Sequence, residues 1–166
     1  MIWGMTTSTF TLVHVVLSLI GIGAGVIVMF GLLTGRQCHG WTALFLTTTA
    51  ATSVTGFAFP FDHLLPSHKV GIVSLVVLAL AIFGRYVLHL AGPWRRVYVV
   101  CAGLALYLNV FVGVVQAFHK VPVLNAMAPT QTEPAFVVTQ LGVLALFAVL
   151  TIVAAKRMRG APVRAA

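Results

Sequence analysis

Residues 97–118 read VYVVCAGLALYLNVFVGVVQAF, twenty-two residues in a row without a charge. About 20 such residues cross the roughly 30 Å hydrocarbon core of a bilayer, so the stretch reads as a membrane-spanning helix. Asn109 and Gln116 interrupt it one heptad apart and share a helix face, with Cys101, Ala105, Gly113 and Lys120 near the same stripe. An amide at that depth needs a partner within the protein. The stripe is therefore expected to point into a bundle or a cavity rather than at lipid.

The rest of the 166-residue chain has the same character: 60% apolar, 7% charged, with a mean hydropathy of +1.08. No soluble domain has those proportions, so the expected class is an all-α integral membrane bundle forming one domain over residues 1–166. Five spans are predicted, near Phe10–Leu33, Trp41–Phe59, Val70–Ala91, Val97–Phe118 and Ala135–Ala155. Breakers mark the joints: Gly35 and Gly40, Pro60 and Pro66, Gly92-Pro93, then Pro122, Pro129 and Pro134. The first run is too long for a signal-peptide core and lacks a basic flank, so it reads as a true span.

Five crossings sort the charges. One side receives eight basic residues (Arg36, Arg85, Arg95, Arg96, Lys156, Arg157, Arg159 and Arg164) and no acid, while the other receives Lys69 and Lys120 against Asp62 and Glu133. The positive-inside rule then places the N-terminus outside and the C-terminus in the cytoplasm. The formal charge of +8 suits anionic lipid head groups, and no basic stripe interleaved with aromatics suggests nucleic acid. Cys38 and Cys101 fall at the reducing side, where packed, unpaired thiols are expected.

Small residues supply packing faces. Gly21-xxx-Gly25 and Gly31-xxx-Gly35 lie on the first span, with Ser18 and His14 extending the former face outward. The second span carries Thr47, Thr48, Thr49, Thr52, Ser53 and Thr55, too many hydroxyls for a lipid-facing helix. It is expected to be central, its hydroxyls bonding to its own carbonyls or across to Asn109 and Gln116. The third span puts Ser67, Gly71, Ser74, Ala81, Arg85 and His89 on one stripe, and the fifth reads as the most lipid-exposed.

Six histidines accompany only two acids. His14, His63, His68 and His119 are expected near the outer surface, and His39 and His89 near the inner one. Imidazoles paired on facing helices can hold b-type haem, so His14 with His119 and His39 with His89 are candidate axial pairs. The outer group of His14, His63, His68 and His119, with Asp62 or Glu133, would instead suit a divalent metal. No HxxxH or HxxH repeat supports either. His14 stands out as an ionisable group one turn inside a span, with His119, Gln116 or Glu133 as prospective partners. The longest outer loop, His119–Pro134, is apolar enough for a lid or an interfacial helix, and Glu133 before Pro134 is placed to begin the last helix.

Ala105-Leu106-Tyr107-Leu108-Asn109-Val110-Phe111, with Ala128-Pro129-Thr130-Gln131-Thr132-Glu133-Pro134, resembles a group of small bacterial multi-span inner-membrane proteins. Gly35-Arg36-Gln37-Cys38-His39-Gly40 and Leu65-Pro66-Ser67-His68 resemble patterns in a related multispan family. The resemblance implies an inner-membrane protein and directs interest to Asn109, His39, His68 and the Pro129–Pro134 segment. It carries no activity to transfer.

With Asp62 and Glu133 as the only acids and no phosphate loop, hydrolase and ATPase chemistry lack their groups. An ion-coupled transporter would need a buried acid or an inverted repeat, and neither is visible. Two classes remain. One is a redox or metal protein using the outer histidines with a quinone. The other is a non-catalytic subunit or assembly factor packed in a homo-oligomer or a larger complex, or a lipid- or quinone-binding scaffold.

Overall fold

Hydroxyl-rich and Leu/Val-rich stretches alike form helix in this chain. A computed structural model describes residues 2, 4–59 and 66–158, and among them the architecture is all-α. Helix α1 is Thr7–Thr34, α2 is His39–Gly56 and α3 is Pro66–Ile82, continuing into one π-turn over Phe83–Val87. Trp94–Lys120 forms α4, Pro122–Met127 the short α5 and Pro134–Arg157 α6. Helix α1 starts at Thr6, whose hydroxyl accepts from the Thr9 N–H at 3.2 Å, and stops at Gly35, where a φ of 73° favours glycine.

Among the described residues four helices are long and apolar enough to cross a membrane: α1, His68–Val87, α4 and α6. Helix α2 falls outside that set because its threonines and serine lower its hydropathy. It nevertheless lies along α1 in antiparallel fashion, with His14 meeting Thr55, Gly21 facing Thr48 and Thr49, Gly25 facing Phe45, and Gly31 facing Cys38. Those pairs extend over residues 14–31 of α1, a rise of about 25 Å. The α2 hydroxyls bond back along their own helix as expected: Thr48 to the Leu44 carbonyl at 2.7 Å, Thr52 to Thr48 at 2.9 Å, Ser53 to Thr49 at 3.0 Å.

The alternation continues. Phe57 of α2 packs on Gly71 of α3, Tyr98 of α4 lies under Arg85, and Phe118, Tyr107 and Gly103 of α4 meet Phe136, Phe147 and Thr151 of α6. One end of the bundle thus holds His14, His68, His119, Lys69, Lys120 and Glu133. The opposite end holds His39, His89, Arg36, Arg85, Arg95, Arg96, Lys156 and Arg157. Asp62, His63, Arg159 and Arg164 lie outside the described residues.

The buried core runs between the helices through Phe10, Phe45, Leu78, Tyr98 and Leu106, while Leu12, Leu19, Phe30, Val138 and Leu141 face outward. Helix α6 is the least covered, with 11% of its apolar window buried against 33–44% for the other three. That agrees with the expectation of a lipid-exposed last helix.

Candidate functional site

Where α1, α2, α3 and α4 meet, toward the His14 end, they leave a chamber of about 90 Å³. Its polar lining comes from His14, Thr49, Thr52, Ser53, His68, Ser74 and Asn109. Small residues make it. Gly21 on α1 faces Thr49 Oγ1, Asn109 Nδ2 and Thr48 Oγ1, and a Cβ there would lie 3.0–3.2 Å from all three. The glycine of a packing motif therefore also keeps three polar atoms clear of apolar carbon.

Asn109 is buried, and its Oδ1 accepts from the Ser18 hydroxyl of α1 at 2.8 Å. Its Nδ2 is buried without a hydrogen-bond partner, and so is Thr49 Oγ1. An unpaired buried polar atom costs about 1–3 kcal/mol, so two of them lining one chamber mark a place that a ligand or water completes.

His14 packs edge-on against Phe59 and bonds Thr55 Oγ1 through Nδ1 at 2.8 Å. The Thr55 hydroxyl donates to the Ala51 carbonyl at 2.7 Å, so its hydrogen is committed along its own helix. Nδ1 of neutral His14 is then the donor, and Nε2 keeps a free lone pair. Thr55, not His119, Gln116 or Glu133, is the partner of His14. His68 is 4% exposed and lies with its ring 5.5 Å from that of Phe57.

The heptad pair divides. Asn109 is buried, but Gln116 is exposed. Seven residues fall about 20° short of two full turns, and Gln116 sits in the last turn and a half of α4, at the end of the helix. His119 is exposed as well, so the structure does not aim it at His14. The third span also departs from its stripe. The π-turn over Phe83–Val87 inserts a residue into the helical phase, and His89 and Leu90 follow at φ 49° and 58°. Arg85 stays buried while His89 turns outward.

At that opposite end Arg85 Nη2 donates to His39 Nδ1 at 3.1 Å, and the guanidinium lies 5.3 Å from the Tyr98 ring centroid. Guanidinium has no lone pair, so His39 Nδ1 must be the acceptor and Nε2 carries the proton. A neutral His39 held this way offers iron no nitrogen, and the proposed His39–His89 axial pair does not fit. His119 is exposed and does not line the chamber, so the structure does not gather the outer pair His14 and His119 around it. Among the described residues no group of three His, Cys, Asp or Glu side chains could hold a metal ion. His63, a member of the expected metal set, lies outside the described residues.

The His119–Pro134 loop folds against α4 rather than lying free. Gln131 Nε2 reaches the Val115 carbonyl at 3.0 Å and Asn125 Nδ2 the Phe118 carbonyl at 3.2 Å. Glu133 takes the N-cap position of α6, but its carboxylate turns back to the loop. It accepts the Thr130 N–H at 3.1 Å, the Thr130 hydroxyl at 2.8 Å and the Thr132 N–H at 3.0 Å. Desolvation pushes the Glu133 carboxyl up, and these hydrogen bonds outweigh it, so its pKa lies below the ordinary glutamate value.

Ser18 is the partner of Asn109 that the sequence did not single out; the signal available was its place on the Gly21-xxx-Gly25 face of α1. The hydroxyl expected to reach Asn109 from α2 does not: Thr49 Oγ1 makes no hydrogen bond to it. Comparison with protein-family models, with curated proteins and with solved structures returns no match.

Proposed function

We propose that this protein is a five-span integral protein of the bacterial inner membrane, with the His14 end outside, and that its chamber binds the polar head of a membrane-soluble ligand. A quinone carbonyl is the chemistry that suits the chamber best. The buried, unpaired Asn109 amide N–H carries this reading. It is a donor in want of an acceptor, in a pocket with two imidazoles and, among the described residues, no acid. The bare Nε2 of His14 complements it, since it can accept from the hydroxyl of the reduced, quinol form. The volume favours a head group or about three waters over a macrocycle.

Two observations support the membrane arrangement. Helix α2 follows α1 through about 25 Å of depth, so a slab crossed by one is crossed by both. Among the described residues six of the eight Lys and Arg side chains gather at the end away from His14, as the positive-inside rule requires of a cytoplasmic face. Single cysteines replacing Lys120 and Arg95 should label from opposite sides of sealed vesicles. Labelling of both from one side would overturn the five-span arrangement.

The ligand is tested by organic extraction of protein purified in mild detergent. Near-stoichiometric quinone in the wild type, lowered about tenfold in Asn109→Leu by loss of one buried hydrogen bond, supports the reading. Quinone absent from the wild type, and no retention of an added short-chain quinone, would overturn it in favour of a water-filled chamber.

A further inference from the structure

A second concavity shares no lining residue with the chamber. It is an apolar groove of about 460 Å³ between α4 and α6, walled by Val100, Leu104, Tyr107, Leu144, Ala148 and Ile152. Thr151 closes directly over Gly103 at its floor, where only a glycine leaves room. Lys156 lines one end of the groove. Around it the basic end continues: Arg157 holds the Leu33 carbonyl at 2.7 Å, and Arg95 reaches the Met158 carbonyl at 3.3 Å. Among the described residues the only acid, Glu133, lies at the opposite end of the bundle.

We propose that this groove seats one acyl chain of an anionic phospholipid, with its phosphate against Lys156. From Leu144 to Lys156 the groove follows α6 for about 18 Å, close to the ~15 Å depth of one leaflet. A chain entering from the basic end would therefore lie along it to the bilayer midplane. The wall is apolar where the chain lies and cationic where the phosphate lies. A second copy of this chain is the poorer occupant. Two copies sharing one membrane orientation and joined through this face would bring two Lys156–Arg157 ends together, and like charges repel. The lipid site does not rest on the chamber's ligand, and each stands or falls alone.

The test is native mass spectrometry of detergent-purified protein offered equal amounts of phosphatidylglycerol and phosphatidylcholine with matched chains. The wild type should retain phosphatidylglycerol preferentially. Lys156→Gln should lower that preference about fivefold, from the contribution of one basic residue beside an anionic head group. Ala148→Phe fills the groove from its exposed rim and should lose both lipids. Circular dichroism and elution volume check the fold of each variant, and Lys156→Gln alters only an exposed side chain should Ala148→Phe fail to fold. Equal retention of the two lipids by the wild type, an unchanged preference in Lys156→Gln, or a two-chain mass that persists without lipid would overturn the proposal.

Discussion

The Ser18 hydroxyl on α1 donates to Asn109 Oδ1 on α4 at 2.8 Å, and this bond fixes the orientation of the amide deepest in the bundle. With Oδ1 held by α1, Nδ2 is left beside Gly21 and Thr49 with no protein acceptor. One contact thus does two things: it joins two helices and leaves a donor free for the chamber.

Ser18→Ala should lower stability by about 0.6 kcal/mol, up to about 1.7, the range of hydrogen bonds between membrane helices. The same substitution in an Asn109→Leu background should be silent, because no amide remains to lose its donor. Thermal unfolding in detergent of the four combinations measures the coupling. Additive effects would show that the bond contributes nothing.

The glycines of α1 should separate by position. A Cβ on Gly25 would lie 2.5 Å from Leu106 Cδ1 and 2.9 Å from the Phe45 ring, whereas one on Gly23 meets nothing within 4 Å. Gly25→Ala should cost about 1–3 kcal/mol through overpacking. Gly23→Ala should be neutral or gain up to about 1 kcal/mol from helix propensity. Melting temperatures of the two variants decide it.

His39 and His89 should prove unequal. His39→Ala removes the acceptor of a buried guanidinium and should destabilise by about 1–3 kcal/mol. His89 is exposed at φ 49°, and His89→Gly, which suits that backbone, should be neutral or mildly stabilising. Equal losses in both would restore the idea of a matched pair.

Glu133 predicts an acid-sensitive loop. Its folded pKa lies below the ordinary glutamate value, so its hydrogen bonds contribute stability in full above that ordinary value. The contribution is lost as pH falls through the lower, folded value. Glu133→Gln should narrow its deficit against the wild type as pH drops below the ordinary glutamate range. Limited proteolysis near Thr130 across that pH interval reports it, and a deficit independent of pH would refute the assignment.

The four long apolar helices among the described residues were legible in the sequence because uncharged runs near 20 residues have few alternatives in a bilayer. The predicted spans start and stop within four residues of α1, α2, α4 and α6. The third ran past its helix because Phe83–Val87 gives no signal of a π-turn. Part of the site was equally visible. An intramembrane amide, a threonine-rich helix and an inset histidine each announce themselves, since each is expensive in lipid without a partner.

Partners were not legible. Ser18 of α1 rather than a hydroxyl of α2 bonds Asn109, Thr55 rather than His119 bonds His14, and Arg85 occupies Nδ1 of His39. Periodicity reports which residues share a face to within about 20° per heptad, which separates core from lipid but not one neighbouring helix from the next. Hydrogen bonds close within a few tenths of an ångström. Local sequence therefore determined that this chain forms membrane-type helices carrying buried polar groups, and only the packing of α1 and α2 against α4 decided which groups meet.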